Sequence, residues 1–463
     1  MSTNKPNLLF VFSDQHRWCD LGCYGNGEVV SPHFNAFAGE GLRLDQCYSH
    51  CPLCVPARGT LLTARHAMKH RAAANDLPID TSLESVAHVL NRAGYQSGYI
   101  GKWHLAGVPR EQAVAPENRL GFQHWKVRQC SHDYLKPEYH DKEGVLHQCP
   151  GYEPAVQTDL AQAFIREHQD QPWGLVLSWG PPHDPYAAVP DRYKTLFDPD
   201  KLSLRPNVPE RIEKSYRGPL DRDAIRHDLA GYYAHIAALD EQFGRLVQHV
   251  KDLGLWENTL IVYSSDHGDL MGSQGFTQKQ LPYEESAHVP LLIGGGLPQL
   301  RQGTCCELIG LVDLFPTLLG ALGLSYASDI DGSDLSALLS DSSAKGREAL
   351  YLNNPIPCHF GADRGDASWR AIRKGSYCFA MNLDDGTDWF LYDLAKDPYQ
   401  QENLLMKTPE MDRLASELRQ ELFCMVQAYD DALPGEQLIA KYQLTEAWNT
   451  SQRFFNLPAL NES

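Results

Sequence analysis

Along the chain, short apolar runs alternate with polar motifs and with stretches of helical periodicity. Residues 7–12 (Asn-Leu-Leu-Phe-Val-Phe) are almost uninterruptedly apolar, the pattern of a strand buried on both faces, and they open onto Ser13-Asp14-Gln15-His16-Arg17. Thr81-Ser82-Leu83-Glu84 reads as a capping box ahead of Leu83, Val86, Ala87 and Leu90 at helical spacing, with Gly94 as the stop. Residues 96–100 predict a strand that delivers Gly101-Lys102-Trp103-His104. The order then repeats: a helix over 158–167, a strand over 173–178, and Gly180-Pro181-Pro182-His183-Asp184-Pro185-Tyr186. A long helix over 228–250 precedes a strand over 259–264 and Ser265-Asp266-His267-Gly268-Asp269.

This alternation predicts an α/β fold, a mostly parallel sheet sandwiched by helices. Ligand sites in such sheets lie beyond the carboxyl ends of the strands, where all four polar motifs fall. After about residue 345 the character changes. Short strands within 368–379 and 388–394, an amphipathic helix over 411–429 and an irregular tail from 433 predict a smaller C-terminal α+β subdomain. The expected organisation is a catalytic domain over 1–345, a subdomain with a short antiparallel sheet and helix over 346–432, and an extension over 433–463 that could pack on a neighbouring subunit of a homo-oligomer.

The chain has 463 residues, enough for two or three domains at roughly 100–200 residues each, or for one large α/β domain with a small companion. Its net charge of -18 argues against nucleic acid and against an anionic membrane surface as partners. Any attraction for an anionic substrate must therefore be local. The N-terminal run is too short for a secretory h-region and no stretch approaches a membrane span, so the expected location is the cytoplasm, or the periplasm if a leader has been removed. The twelve cysteines are scattered through the chain, a distribution that fits reduced and mostly buried thiols.

Cys54 is the exception. Cys54-Val55-Pro56-Ala57-Arg58 leads into Gly59-Thr60-Leu61-Leu62-Thr63-Ala64-Arg65, a predicted helix, and a helix N-terminus favours a nucleophile or a bound anion. A structural thiol is the default for an isolated cysteine. A redox or zinc role for Cys51-Pro52-Leu53-Cys54 lacks both a second Cys/His pair at zinc spacing and a thioredoxin-like start.

Cys54-x-Pro56-x-Arg58, together with Asp14, Lys102-Trp103-His104, His183, Asp266-His267-Gly268 and Lys279 ahead of Tyr283-Glu284-Glu285-Ser286, resembles the type I sulfatases in residue type and order. Leu391-Tyr392-Asp393-Leu394, Asp397-Pro398 and Asn403-Leu404 extend that resemblance over nearly the whole chain. It implies an alkaline-phosphatase-like fold and a Cys54 oxidised to formylglycine by a maturation enzyme, the aldehyde hydrate then attacking sulfur. It also implies a divalent metal held by Asp14, Gln15, Asp266, His267 and the modified Cys54. Gln15 departs from the second aspartate of many sulfatases, removing one negative charge. Calcium suits an oxygen-rich site best, and His267 leaves manganese or magnesium open. By the same resemblance Arg58 binds the diol oxygen and the site carboxylates, Lys102 and Lys279 neutralise the sulfate, and His183 or Lys279 protonates the leaving alcohol. His104 takes a proton from the diol. Asp269 and Asp313 are expected to be structural, bracing the turn after His267 and capping a helix.

Gly121-Phe122-Gln123-His124-Trp125 and His132-Asp133-Tyr134 resemble insertions in carbohydrate-acting sulfatases, so His132 and Tyr134 are candidate sugar contacts, with a packed aromatic loop as an equal reading. His359 and Arg364, near Phe360 and Trp369-Arg370, are candidates to close over the pocket. The expected substrate is a sulfated saccharide or another small sulfate ester, ahead of an aryl or choline ester. A phosphonate monoester or phosphodiester hydrolase is the rival enzyme, favoured by Gln15. A non-catalytic binder of sulfated sugar is disfavoured, because nucleophile and ligands are all present.

Overall fold

The computed structural model describes residues 5–327, 329–457 and 460. A ten-stranded sheet runs in the order Gly303–Gly310, Leu42–Tyr48, His288–Gly294, Thr259–Ser265, Asn7–Asp14, Trp173–Pro182, Gln96–Lys102, His124–Arg128, Glu138–His140, Leu146–Gln148. The run from Thr259–Ser265 to His124–Arg128 is parallel throughout. Among the described residues only His288–Gly294 and Glu138–His140 run against the rest of this sheet. The fold is therefore the expected mostly parallel α/β sheet.

Strand alternation divides the core into two layers. From the central strand, Leu8, Phe10 and Phe12 point into one cluster, with Leu44, Leu61, Leu62 and Leu90. Leu9 and Val11 point into the other, with Phe34, Leu177, Ile236, Leu239 and Phe243. The second layer is built on the helix Arg222–Asp252, which starts where the Asp221 carboxylate accepts from the Ala224 amide at 2.8 Å.

A four-stranded antiparallel sheet, Ala349–Asn354, Trp369–Lys374, Tyr377–Asn382 and Asp388–Asp393, packs against the helix Pro409–Ala428. Beyond it, the expected irregular tail is in fact helical, over Gly435–Lys441 and Thr445–Phe454. Leu438, Ile439 and Leu444 bury against Cys51, Leu53, Met68, Leu77 and Ile356 of the same chain. Residues 458–459 and 461–463 of that extension lie outside the described residues.

One helix start also differs from expectation. The cap ahead of Val86–Arg92 is Ser85, reciprocated by His88, while Glu84 pairs with Arg92 and accepts from the Ala327 amide. Asp313 caps Leu311–Ala321 through the Gly310 amide (3.0 Å), the structural role expected of it. All twelve cysteines are free, most of them buried. Among the described residues no helix is long and apolar enough to cross a membrane.

Candidate active site

Register brings the site together. Ser13 lies opposite Ser265 on adjacent parallel strands, so Asp14 and Asp266 leave the sheet side by side. Lys102 ends the strand two places away, where Gly101 pairs with Ser178. The chain leaving Leu42–Tyr48 turns through residues 49–53 and presents Cys54 as the first residue of the helix Cys54–Thr63, all of it buried. Its position matches the anion-favouring end of the helix.

Asp14, Cys54, Asp266 and His267 place one ligand atom each within 4.8 Å of one another, in a fully buried cluster. Cys54 Sγ lies 3.2 Å from His267 Nε2 and 3.7 Å from Asp14 Oδ1. His267 Nδ1 donates to the Gly268 carbonyl at 2.9 Å, which fixes the tautomer and aims the Nε2 lone pair at the cluster. Asp266 Oδ1 accepts from the Gln15 and His267 amides at 3.0 and 2.9 Å. Its Oδ2 is buried without a hydrogen bond, although it lies 3.0 Å from the Arg58 guanidinium. Burial, and then the charge of Asp14, push Asp266 above the ordinary carboxylate range. Two buried carboxylates, one of them with an oxygen free of hydrogen bonds, and an imidazole lone pair form a donor set that fits a divalent cation.

Arg58 organises this cluster from below. It donates to Asp14 Oδ2 (2.9 Å), to the Lys102 carbonyl (2.8 Å) and to Ser178 Oγ (2.6 Å). Lys102 Nζ reaches Asp14 Oδ2 at 2.6 Å. Burial opposes the Lys102 charge, but Asp14, Cys130 and Cys54 together outweigh it and hold the ammonium above the ordinary lysine range. Burial and the Cys54 sulfur push Asp14 up, yet Lys102, His183 and Arg58 together hold it below the ordinary carboxylate range.

Across the cluster, Lys279 Nζ and His183 Nε2 share a hydrogen bond of 2.7 Å, and Lys279 Nζ also donates to Gln15 Oε1. The Gln15 amide nitrogen donates to Asp269 at 2.6 Å, and Asp269 also accepts from the Met271 and Gln278 amides, the bracing role its position predicted. His183 Nδ1 meets the carbonyl and the carboxylate of Asp184 at 2.9 and 3.1 Å. Burial and Lys279 lower His183, but Asp184 and Asp14 raise it to about 10.

His104 is buried with Nε2 3.4 Å from Asp76 Oδ1. Asp76, with a fully buried side chain, also takes a two-pronged contact from Arg110 (2.7 Å each) and one from His359 Nε2 (2.8 Å). His104 is raised to about 10: burial lowers it, and Cys130 and Asp76 more than reverse that. The local charge demanded by an acidic chain is thus present as Arg58, Lys102, Lys279, His183 and His104.

The four candidate sugar contacts separate. His132 is half-buried, its ring 4.4 Å from that of His183. His359 is a quarter exposed and committed to Asp76. Tyr134, expected to meet sugar, is wholly buried and spends its hydroxyl on the Gly180 and Asp184 carbonyls, so it is wall rather than contact surface. Arg364, expected to close over substrate, instead pairs with Asp366 and donates to the Thr277 and Lys279 carbonyls at 3.0 and 2.9 Å. It braces the loop that carries Lys279. Sequence reasoning missed Asp76, Arg110, Ser178 and Tyr216. Asp76 and Tyr216 sit in loops without periodicity, and only the fold brings them to the site.

The family model for Sulfatase matches residues 6–324, and that for N-sulphoglucosamine sulphohydrolase, C-terminal, matches residues 272–428. The chain belongs to the sulfatase family and is a sulfuric ester hydrolase. It is 35% identical over 425 residues to an ulvan-active sulfatase of Formosa agariphila, covering 90% of this chain and 80% of that one. It is 25% identical over 512 residues to an N-acetylglucosamine-6-O-sulfatase of Bacteroides thetaiotaomicron, covering 94% and 88%. A solved YidJ sulfatase structure from Bacteroides fragilis superposes with a TM-score of 0.83 at 27% identity, covering 96% of this chain and 98% of that one.

Proposed function

We propose that this enzyme removes sulfate from an O-sulfated saccharide, with Cys54, converted to formylglycine by a maturation enzyme, as nucleophile. The carrying observation is that Cys54 shares a buried cluster with the Asp14, Asp266 and His267 donors and feels the charges of Lys279 and Lys102 there. A divalent cation held by Asp14, Asp266, His267, residue 54 and Gln15, with calcium preferred, would acidify a hydroxyl at residue 54 and share the charge of the sulfate oxygens. Lys102 and Lys279 bind and orient the sulfate group. His183 delivers the proton to the departing oxygen, held for that task by Asp184. His104 faces residue 54 with its ring fixed by Asp76, and it takes a proton there only after releasing its own. Arg58 orients the carboxylates through a planar fork that lysine could not offer. The named specificity of the N-acetylglucosamine-6-O-sulfatase relative supports a saccharide.

The decisive assay offers the mature, metal-loaded enzyme a sulfate ester and a phosphonate monoester of one leaving group, beside a panel of sulfated mono- and disaccharides. Sulfate release with a preference for saccharides is expected. Faster phosphonate cleavage would transfer the assignment to that rival, which Gln15 beside Asp14 favours.

A further inference from the structure

The two-stranded hairpin Arg211–Ile212 and Leu220–Asp221 carries Tyr216 at its tip. Tyr216 is 45% exposed, unusual for a large ring, yet its hydroxyl is anchored. It donates at 3.3 Å to Asp184 Oδ2, the carboxylate whose other oxygen lies 3.1 Å from His183 Nδ1 and accepts from Gln278 at 2.8 Å. The Tyr216 ring meets Phe360 edge-on at 5.8 Å, and the Arg217 guanidinium lies 5.6 Å from its centre. Phe360 in turn covers Arg364 at 4.8 Å, the residue that holds the Lys279 carbonyl. The hairpin is fastened to the same loop: Lys214 bridges to Phe276, and the Thr277 amide donates to the Lys214 carbonyl at 3.3 Å.

Two anchors of this ring, Asp184 and Phe360, lead to His183 and to Lys279, so the ring is held in register with the proton donor while staying open to solvent. A rigid aromatic surface with its polar end tied by a hydrogen bond gives contact area at little entropic cost, the usual design of a recognition surface. From this geometry we propose that Tyr216, with Phe360 at its edge, forms the subsite for the leaving group, stacking the apolar face of the sugar ring whose oxygen His183 protonates. The inference rests on the saccharide reading above and adds the element that recognises the sugar. It replaces Tyr134, whose burial removes it from that role.

The test uses mature enzyme and the sulfated saccharide it turns over fastest from the panel, with inorganic sulfate as a competing inhibitor. Tyr216→Ala is expected to raise KM for the saccharide by about tenfold, the loss of one aromatic stacking contact, while the inhibition constant of inorganic sulfate moves less than about twofold. Tyr216→Phe, which keeps the ring, stays within about threefold of the parent in KM. An unchanged KM in Tyr216→Ala overturns the proposal. So does a parallel loss of saccharide and inorganic sulfate, which would mean that the ring only supports the fold of the site. If the parent turns over no sulfated saccharide but cleaves a phosphonate monoester, the functional reading fails first and the subsite falls with it.

Discussion

His183 lies between one cation, Lys279, and two anions, Asp184 and Asp14, with the neutral His132 ring beside it. The anions win and raise it to about 10, so the imidazole carries a proton throughout the neutral range and releases it only as pH rises through that value. Turnover of a sugar sulfate should therefore hold through neutral pH and fall on an alkaline limb near 10, and that limb should vanish in His183→Ala. The same variant should lose ~10²–10⁴-fold in kcat on a sugar sulfate and much less on an activated aryl sulfate, whose leaving group needs no proton. Equal losses on both esters would remove His183 from the acid role. Asp76→Asn is expected to lower kcat by ~10–100-fold, as loss of an outer partner does, with KM little changed, because Asp76 touches His104 rather than substrate. At this scale the sequence was informative where chemistry sits in compact motifs, as at Cys54-x-Pro56-x-Arg58 or Asp266-His267. It was silent on Asp76, whose partners Arg110 and His359 lie 34 and 283 positions away.

Strands and helices act by delivering these groups to one edge. Gly101 shows how narrow the tolerance is. It has φ +105°, and a Cβ there would lie 2.0 Å from the Ser178 carbonyl oxygen, directly before Lys102. Gly101→Ala should lower Tm and abolish turnover together, since the strained residue costs at least ~1–3 kcal/mol before the clash is relieved. A variant with parental Tm would contradict this packing. The alternation of strand and helix was readable because apolar period and burial agree, as in Leu8/Phe10/Phe12 against Leu9/Val11. Element ends were less so. The cap at Ser85 was missed because Thr81-Ser82-Leu83-Glu84 offers a competing local pattern, and Glu84 is drawn away by Arg92 and Ala327.

For the molecule as a whole, the unexpected feature is the C-terminal extension. Its helices cover the segment that leads to Cys54, and Phe455 covers Arg110 at 4.8 Å and meets His359 edge-on at 5.0 Å. Composition alone read as a loose tail, since each helix is short and becomes stable only against its partner surface. Leu438→Ala should cost ~2–5 kcal/mol and lower Tm measurably, whereas a surface tail would tolerate it.

All of these effects presuppose that residue 54 is converted to an aldehyde beside the Asp14, Asp266 and His267 donors. The direct test is fragment-ion mass spectrometry of the tryptic peptide spanning residues 44–58, taken from a preparation whose sulfate release has been measured. The account predicts that one sulfur and two hydrogens are exchanged for one oxygen at position 54, and not at Cys47 or Cys51, in proportion to activity. An unmodified thiol at Cys54 in a fully active preparation would contradict it.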